Sequence, residues 1–188
     1  VNDVTVALPA IPPRVTNGLL QAACDSVRAQ TSPPSGGISC ALDVDKNGAA
    51  VTRQRALNGV LTKWVAFLDD DDYFYPSHIE TLLRLVYEHE ADVGYSWFDG
   101  NNPFPTHRGR QFNPAEPHHT TMTLLVRTEL AQEVKFCTDH PEGWTLPQED
   151  WRFILGCSAA GGKFVGTGEV TWFYRGHAGN TSGLPTRW

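Results

Sequence analysis

An apolar run that ends directly in four acids limits the possible folds of this chain more than any other feature: Trp64-Val65-Ala66-Phe67-Leu68 is followed at once by Asp69-Asp70-Asp71-Asp72. Five apolar residues without polar alternation read as a strand buried on both faces, the pattern of a central strand in a helix-covered parallel sheet. The acids then fall at its carboxyl end, the edge on which open α/β sheets bind ligands. Adjacent carboxylates repel one another, and a divalent cation with oxygen ligands offsets that repulsion. The competing reading is a solvated acidic turn leading into a helix capped by Asp72 or Ser77.

The preceding residues carry the rhythm such a sheet needs. Val4-Thr5-Val6-Ala7-Leu8 reads as a first strand stopped by Pro9, Pro12 and Pro13, and Leu19, Leu20, Ala23 and Val27 predict a helix within 16–30. A Pro/Gly break at 33–37 leads to a second strand, Ile38-Ser39-Cys40-Ala41-Leu42, and then to a helix over 49–61. Strand, helix, strand, helix, strand implies a parallel sheet, and right-handed crossovers put Pro9, Asp43 and Asp69 along one edge. Beyond the acids, Pro76 and Ser77 open a helix with an Ile79, Leu82, Leu83, Val86 stripe, and a strand follows at 93–98. Residues 99–119, rich in Asn, Pro, His and Gly, read as a long surface loop, a mobile lid or acceptor-binding segment. Strand character returns at 120–126, helix character at 149–157, and strand character at 170–174. The expected fold class is α/β: a three-layer α/β/α sandwich with a central, mostly parallel but mixed sheet, in a single compact domain over 1–188.

A net charge of -6 argues against a broad footprint for duplex nucleic acid, although a bound metal would let an acidic pocket accept phosphates. Cys24, Cys40, Cys137 and Cys157 lack metal-ligand spacing, and the apolar or small surroundings of Cys24, Cys40 and Cys157 suggest buried free thiols. With no charged-then-apolar leader and no apolar run of membrane-spanning length, the chain is expected to be soluble and cytoplasmic.

Three motifs have two readings each. Asp43-Val44-Asp45-Lys46-Asn47-Gly48 matches the opening of an EF-hand loop, but its twelfth position is Gln54 and a strand stands where a helix is required. A strand-end loop in which Asp43 or Asp45 binds a ligand fits better. Glu149 and Asp150 precede Trp151 and Phe153-Ile154-Leu155, as helix-capping acids or as a catalytic pair; Trp144 and Trp151 read as core packing. His107, His118, His119 and His140 could form a separate metal site with Glu116, yet adjacent histidines in a strand point apart.

Taken in order, these segments resemble family 2 glycosyltransferases of the GT-A, Rossmann-like fold. The opening strand through Pro9, the Ser26-Val27 and Gln30-Thr31 helix ending, Arg53-Gln54-Arg55-Ala56-Leu57 leading to the Asp-x-Asp element, Gln148-Glu149-Asp150-Trp151 and the 174–182 segment are all similar to family elements. Gln54 departs from the usual Asn. The resemblance implies that 1–98 bind a nucleotide sugar through Pro9, Asp43, Asp45, Arg53, Asp69 and Asp70, and that 99–188 supply the acceptor site and a base, Asp150 beside Glu149. It implies a metal site of Asp71, Asp69 and His177, and a UDP-sugar donor. Imidazole ligation shifts the preference towards Mn²⁺ over Mg²⁺.

The chemistry needs those residue types independently of any likeness. Sugar transfer requires charge neutralisation on the departing diphosphate, which a hard divalent ion held by few protein ligands provides. One in-line attack with Asp150 as base inverts the anomeric carbon. The acceptor stays open among saccharide, lipid-linked carrier, protein and modified nucleobase. Two alternatives remain: a nucleotidyltransferase, which would carry a Gly- and Lys/Arg-rich phosphate loop that 7–14 lack, and a noncatalytic sugar-binding module.

Overall fold

The computed structural model describes residues 2–100, 108–116, 120–137 and 149–177. Seven strands form one sheet in the order β2-β1-β3-β6-β5-β7-β4. They are β1 (Val4–Ala10), β2 (Ile38–Leu42), β3 (Trp64–Phe67), β4 (Tyr73–Phe74), β5 (Val93–Gly100), β6 (Leu124–Arg127) and β7 (Phe164–Tyr174). β1 pairs in parallel with β2 and β3, and β5 pairs in parallel with β7, whereas β6 and β4 run against their neighbours. The sheet is therefore mixed with a shared main direction. The carboxyl ends of β1, β2, β3, β5 and β7 meet one edge.

Alternation along the strands divides the core into two layers. Val4, Val6, Leu8 and Ala10 of β1, with Trp64, Ala66 and Leu68, pack against α2 (Leu19–Arg28) and α4 (His78–Glu88). Ala7, Val65 and Phe67 face the opposite way, onto α3 (Ala49–Asn58), α5 (Thr128–Val134) and α6 (Glu149–Ala159). Successive strand side chains point to opposite faces, so one sheet supports helices on both sides. This is the expected three-layer sandwich. Strands from both halves of the chain interleave, because β6 inserts between β3 and β5.

Several expected boundaries shift for identifiable reasons. Pro9 does not end β1: it pairs with Ala41, and β1 continues to Ala10. Pro12 and Pro13 do not merely interrupt the chain but open α1 (Pro12–Thr16), since a missing N–H costs nothing in a first helical turn. The helix expected within 16–30 is α2, which starts only at Leu19 because Gly18 adopts φ +83°, a left-handed conformation that separates it from α1. The expected 120–126 strand begins as a 3₁₀ turn, Thr121–Thr123, before β6. The last strand begins at Phe164 instead of 170, its first turns hidden in sequence by Gly166 and Gly168.

Other expectations need correction or fall outside the described residues. Cys40 lies exposed on edge strand β2, Cys24 is half-buried, and only Cys157 of the three is buried. Phe112, in the 99–119 segment expected as a surface loop, stacks on Phe164 at 3.9 Å between ring centres. Trp151 is core, tilted against Phe112. His107, His118, His119, His140, Trp144, Gln148 and 178–182 lie outside the described residues.

Candidate active site

The acids after β3 turn sharply, with the Asp72 N–H donating to the Asp69 carbonyl at 3.3 Å, and their side chains fan out to different partners. Asp70 Oδ2 accepts the Ile11 N–H at 2.7 Å, which ties the end of β1 to the end of β3. Asp71 Oδ2 lies 2.7 Å from Arg14 Nη2 and 3.1 Å from His177 Nε2. Asp72 Oδ1 accepts the Arg175 N–H at 2.7 Å, anchoring the segment that carries His177. Asp70, Asp71 and Asp72 thus tie the end of β3 to the end of β1, to Arg14 and to the segment of Arg175 and His177.

Burial sets the electrostatics. Asp70 is pushed up to about 7, chiefly because it is desolvated, with the Ile11 N–H opposing and the Asp71 and Asp69 carboxylates adding to the rise. Asp72 is pushed up to about 8 for the same leading reason, reinforced by Asp69. Its Oδ2 is buried and has no hydrogen-bond partner among the described residues. Negative charge at this edge is therefore under-compensated. It is not uncompensated, however: Arg14, buried on α1, also stands 3.6 Å from Asp70 through Nε.

A second buried guanidinium organises the neighbouring acids. Arg53 Nη2 donates to both oxygens of Asp69 at 2.9 Å, while Nη1 reaches Glu149 Oε1 at 2.9 Å and Asp150 Oδ1 at 3.1 Å. Burial alone would lower the Arg53 pKa, but Asp150, Asp69 and Glu149 outweigh it and hold the group charged. Thr121 donates to Asp150 Oδ1 at 2.9 Å. Asp150 is nevertheless raised to about 6, because desolvation exceeds the stabilisation from Arg53 and Glu149 adds repulsion. Glu149 and Asp150 open α6, so first-turn acid placement and the Arg53 contact are served together.

The residues singled out in the sequence separate into three groups. Asp71 and His177 meet. Their donor atoms, 3.1 Å apart, fit neighbouring positions around a small octahedral cation, whose ligands at about 2.1 Å and right angles are separated by roughly 3 Å. Asp69, expected with them, is held instead on Arg53, and among the described residues no three His, Cys, Asp or Glu side chains form a metal cluster. Asp43 is buried at the end of β2 with both oxygens accepting backbone N–H groups, from Asn47 at 2.8 Å and Gly48 at 2.9 Å. It shapes the loop, while Asp45 stands exposed upon it. Pro9 lies near the end of β1 on the same edge. Arg14 and Thr121 were not recognised, because a lone Arg among prolines and a Thr in a Thr-rich run have no spacing that announces an acidic partner.

No helix among the described residues is long and apolar enough to cross a membrane. The Escherichia coli (strain K12) protein named Uncharacterized glycosyltransferase YibD is 44% identical over 46 residues, 24% of this chain and 13% of that protein. Among solved structures, S. aureus TarS 1-349 aligns with a TM-score of 0.74 at 14% identity, covering 92% of this chain and 60% of that one. The same S. aureus protein in complex with UDP-GlcNAc gives 0.74 at 15%, covering 95% and 60%. Mannosyltransferase PcManGT from Pyrobaculum calidifontis, in complex with GDP-Man and Mn²⁺, gives 0.65 at 13%, covering 92% and 56%. The likeness to these structures is one of GT-A fold, and the chain spans well under the full length of each. Residues 20–141 match the family described as Glycosyl transferase family 2, and with the acidic edge and the sheet order in place the chain belongs to that family.

Proposed function

We propose that the chain transfers a sugar from a nucleoside-diphosphate donor, a UDP-sugar by preference, to an acceptor hydroxyl, with a divalent metal and with inversion. The observation that carries this reading is the Arg53 guanidinium, which holds the strand-end acid Asp69 and the candidate base Asp150 on one group. A noncatalytic sugar-binding module has no need of a desolvated carboxylate beside the donor edge. A nucleotidyltransferase would be expected to place a Gly- and Lys/Arg-rich loop after β1, where this chain has the Pro-initiated α1.

Asp71 and His177 would hold the ion, which supplies charge neutralisation to the departing diphosphate; the imidazole favours Mn²⁺ over Mg²⁺. Pro9, Asp45 and the loop shaped by Asp43 would flank the nucleoside, with Asp69 and Asp70 towards the ribose and diphosphate. Asp150, at about 6, is ionised at neutral pH and close enough to that pH to serve as general base. It takes the proton from the acceptor hydroxyl as that oxygen bonds to the anomeric carbon. The carbon–oxygen bond to the diphosphate breaks, its electron pair leaving on the diphosphate oxygen. One displacement of this kind inverts the centre. Glu149 shares Arg53 with Asp150 and fixes its approach. Residues 1–98 would then serve the donor and 99–188 the acceptor and base, in a cytoplasmic enzyme. The UDP-GlcNAc complex of TarS and the GDP-Man and Mn²⁺ complex of PcManGT support the donor class and the metal.

A panel of UDP- and GDP-sugars with Mn²⁺ tests the proposal. Release of nucleoside diphosphate with an inverted sugar product is expected. Pyrophosphate release, or donor binding without turnover across an acceptor panel, would replace it with one of the alternatives.

A further inference from the structure

Resting on the metal-dependent reading above, we infer that Arg14 is an internal counter-cation that occupies the charge position of the metal site and yields it only when ion and diphosphate arrive together. The guanidinium sits 2.7 Å from the same Asp71 Oδ2 that lies 3.1 Å from His177 Nε2. It is 4% exposed and also 3.6 Å from Asp70. An ion bound by Asp71 and His177 would therefore share a carboxylate oxygen with a buried guanidinium. Two cations on one oxygen, about 4 Å apart, repel strongly in a buried setting. Either the guanidinium leaves Asp71 or an anion comes between them.

The diphosphate of a nucleotide is such an anion. Its oxygens can ligate the ion and accept from a guanidinium, which matches phosphate oxygens well. Asp72 Oδ2, buried and without a hydrogen-bond partner among the described residues, is a further oxygen at this edge that Arg14 does not satisfy. Arg14 lies on α1, whose start is tied to Asp70 through the Ile11 N–H and whose end meets α2 at the left-handed Gly18. The consequence is a coupling free energy: nucleotide should tighten the ion, and the ion the nucleotide, by the same factor.

The test is Mn²⁺ binding, read from loss of the paramagnetic signal of aqueous Mn²⁺, with and without UDP or GDP, for wild type, Arg14→Met and Arg14→Gln. The Gln variant keeps an N–H for Asp71 should the Met variant fail to fold, and circular dichroism melts establish that each is folded. Wild type should bind Mn²⁺ weakly alone and at least about tenfold more tightly with nucleotide, a typical coupling. The folded variants should bind Mn²⁺ alone about tenfold more tightly than wild type and gain less from nucleotide. Variants that bind Mn²⁺ alone no more tightly than a wild type showing nucleotide-linked binding would overturn the role of Arg14 while leaving the metal-dependent reading intact. Wild type that binds Mn²⁺ equally with and without nucleotide would overturn it whatever the variants do. No Mn²⁺ binding under any condition would overturn both.

Discussion

Arg53 of α3 and Asp150 of α6 meet with 3.1 Å between Nη1 and Oδ1, and the same guanidinium grips Asp69 at the end of β3. Two layers of the sandwich are thereby pinned at the point where donor and acceptor would be joined. Because Arg53 opposes the desolvation that raises Asp150, weakening this contact should raise Asp150 further. Arg53→Lys is expected to lower kcat and move the acid limb of the kcat–pH profile to higher pH by about one unit, since one ammonium cannot reach all three carboxylates. Arg53→Met should cost about 3–5 kcal/mol by denaturant melting, the usual penalty for stranding buried charge. An unmoved pH limb in a less active Arg53→Lys enzyme would reduce Arg53 to a structural strut.

Asp150→Asn keeps the shape of the pocket and can still accept from Thr121, but it cannot take a proton. Donor affinity should stay within about twofold of wild type while kcat falls by about 10²–10⁴, the usual worth of a general base. Isothermal titration with the donor and a turnover assay separate the two effects. Turnover equal to wild type would remove Asp150 from the mechanism.

Asp71 and His177 contribute one donor atom each to the candidate metal position. Asp71→Asn should abolish Mn²⁺-dependent nucleotide binding, and His177→Ala should weaken it while shifting the preference back towards Mg²⁺, because the softer ligand is gone. Thermal shift with nucleotide and each ion reads both, since only a ligand that binds the folded state raises the midpoint. Wild-type affinity and metal dependence in Asp71→Asn would place the ion elsewhere.

How far the sequence speaks differs between fold and site. Uninterrupted apolar runs such as 64–68, and the 3.6-residue stripe of α4, announced β3, the parallel β1–β3 core and the helix that covers it. The two-residue β4, the antiparallel insertion of β6 and the polar, Gly-rich first half of β7 were not legible, because edge pairing and strand insertion are decided by tertiary contact. The site divides in the same way. The acids after β3 could be placed because they end a strand, whereas the contact of Asp71 with His177 joins segments 106 residues apart. Arg14 on Asp71, and Arg53 across Asp69, Glu149 and Asp150, are pairings between distant segments that no local spacing encodes. They also qualify the reasoning from repulsion, since part of the counter-charge demanded by the acidic run comes from the chain itself.

His78 gives the fold a pH dependence separable from the site. It is fully buried, stacked on Phe74 at 3.8 Å, and its Nδ1 lies 2.7 Å from Thr171 Oγ1, which in turn lies 2.6 Å from Ser96 Oγ. Its Nε2 has no partner among the described residues, so a proton added there would be desolvated and unpaired. Burial accordingly pushes the imidazole down to about 3. Below its ordinary value of 6.5 the unfolded chain takes up a proton that the folded chain refuses. The stability contributed by the neutral imidazole is therefore fully present above about pH 6.5 and lost as pH falls towards 3. Asp70, Asp72 and Asp150 are shifted the opposite way, so the His78 contribution is best read as a difference from His78→Asn. Between pH 6.5 and 4, wild type should lose a few kcal/mol relative to that variant in urea melts, an order of magnitude set by about 1.4 kcal/mol per pH unit for one proton. Parallel stability curves for the two proteins would mean that His78 accepts its proton inside the fold, with Nε2 reaching a partner that the packed state does not display.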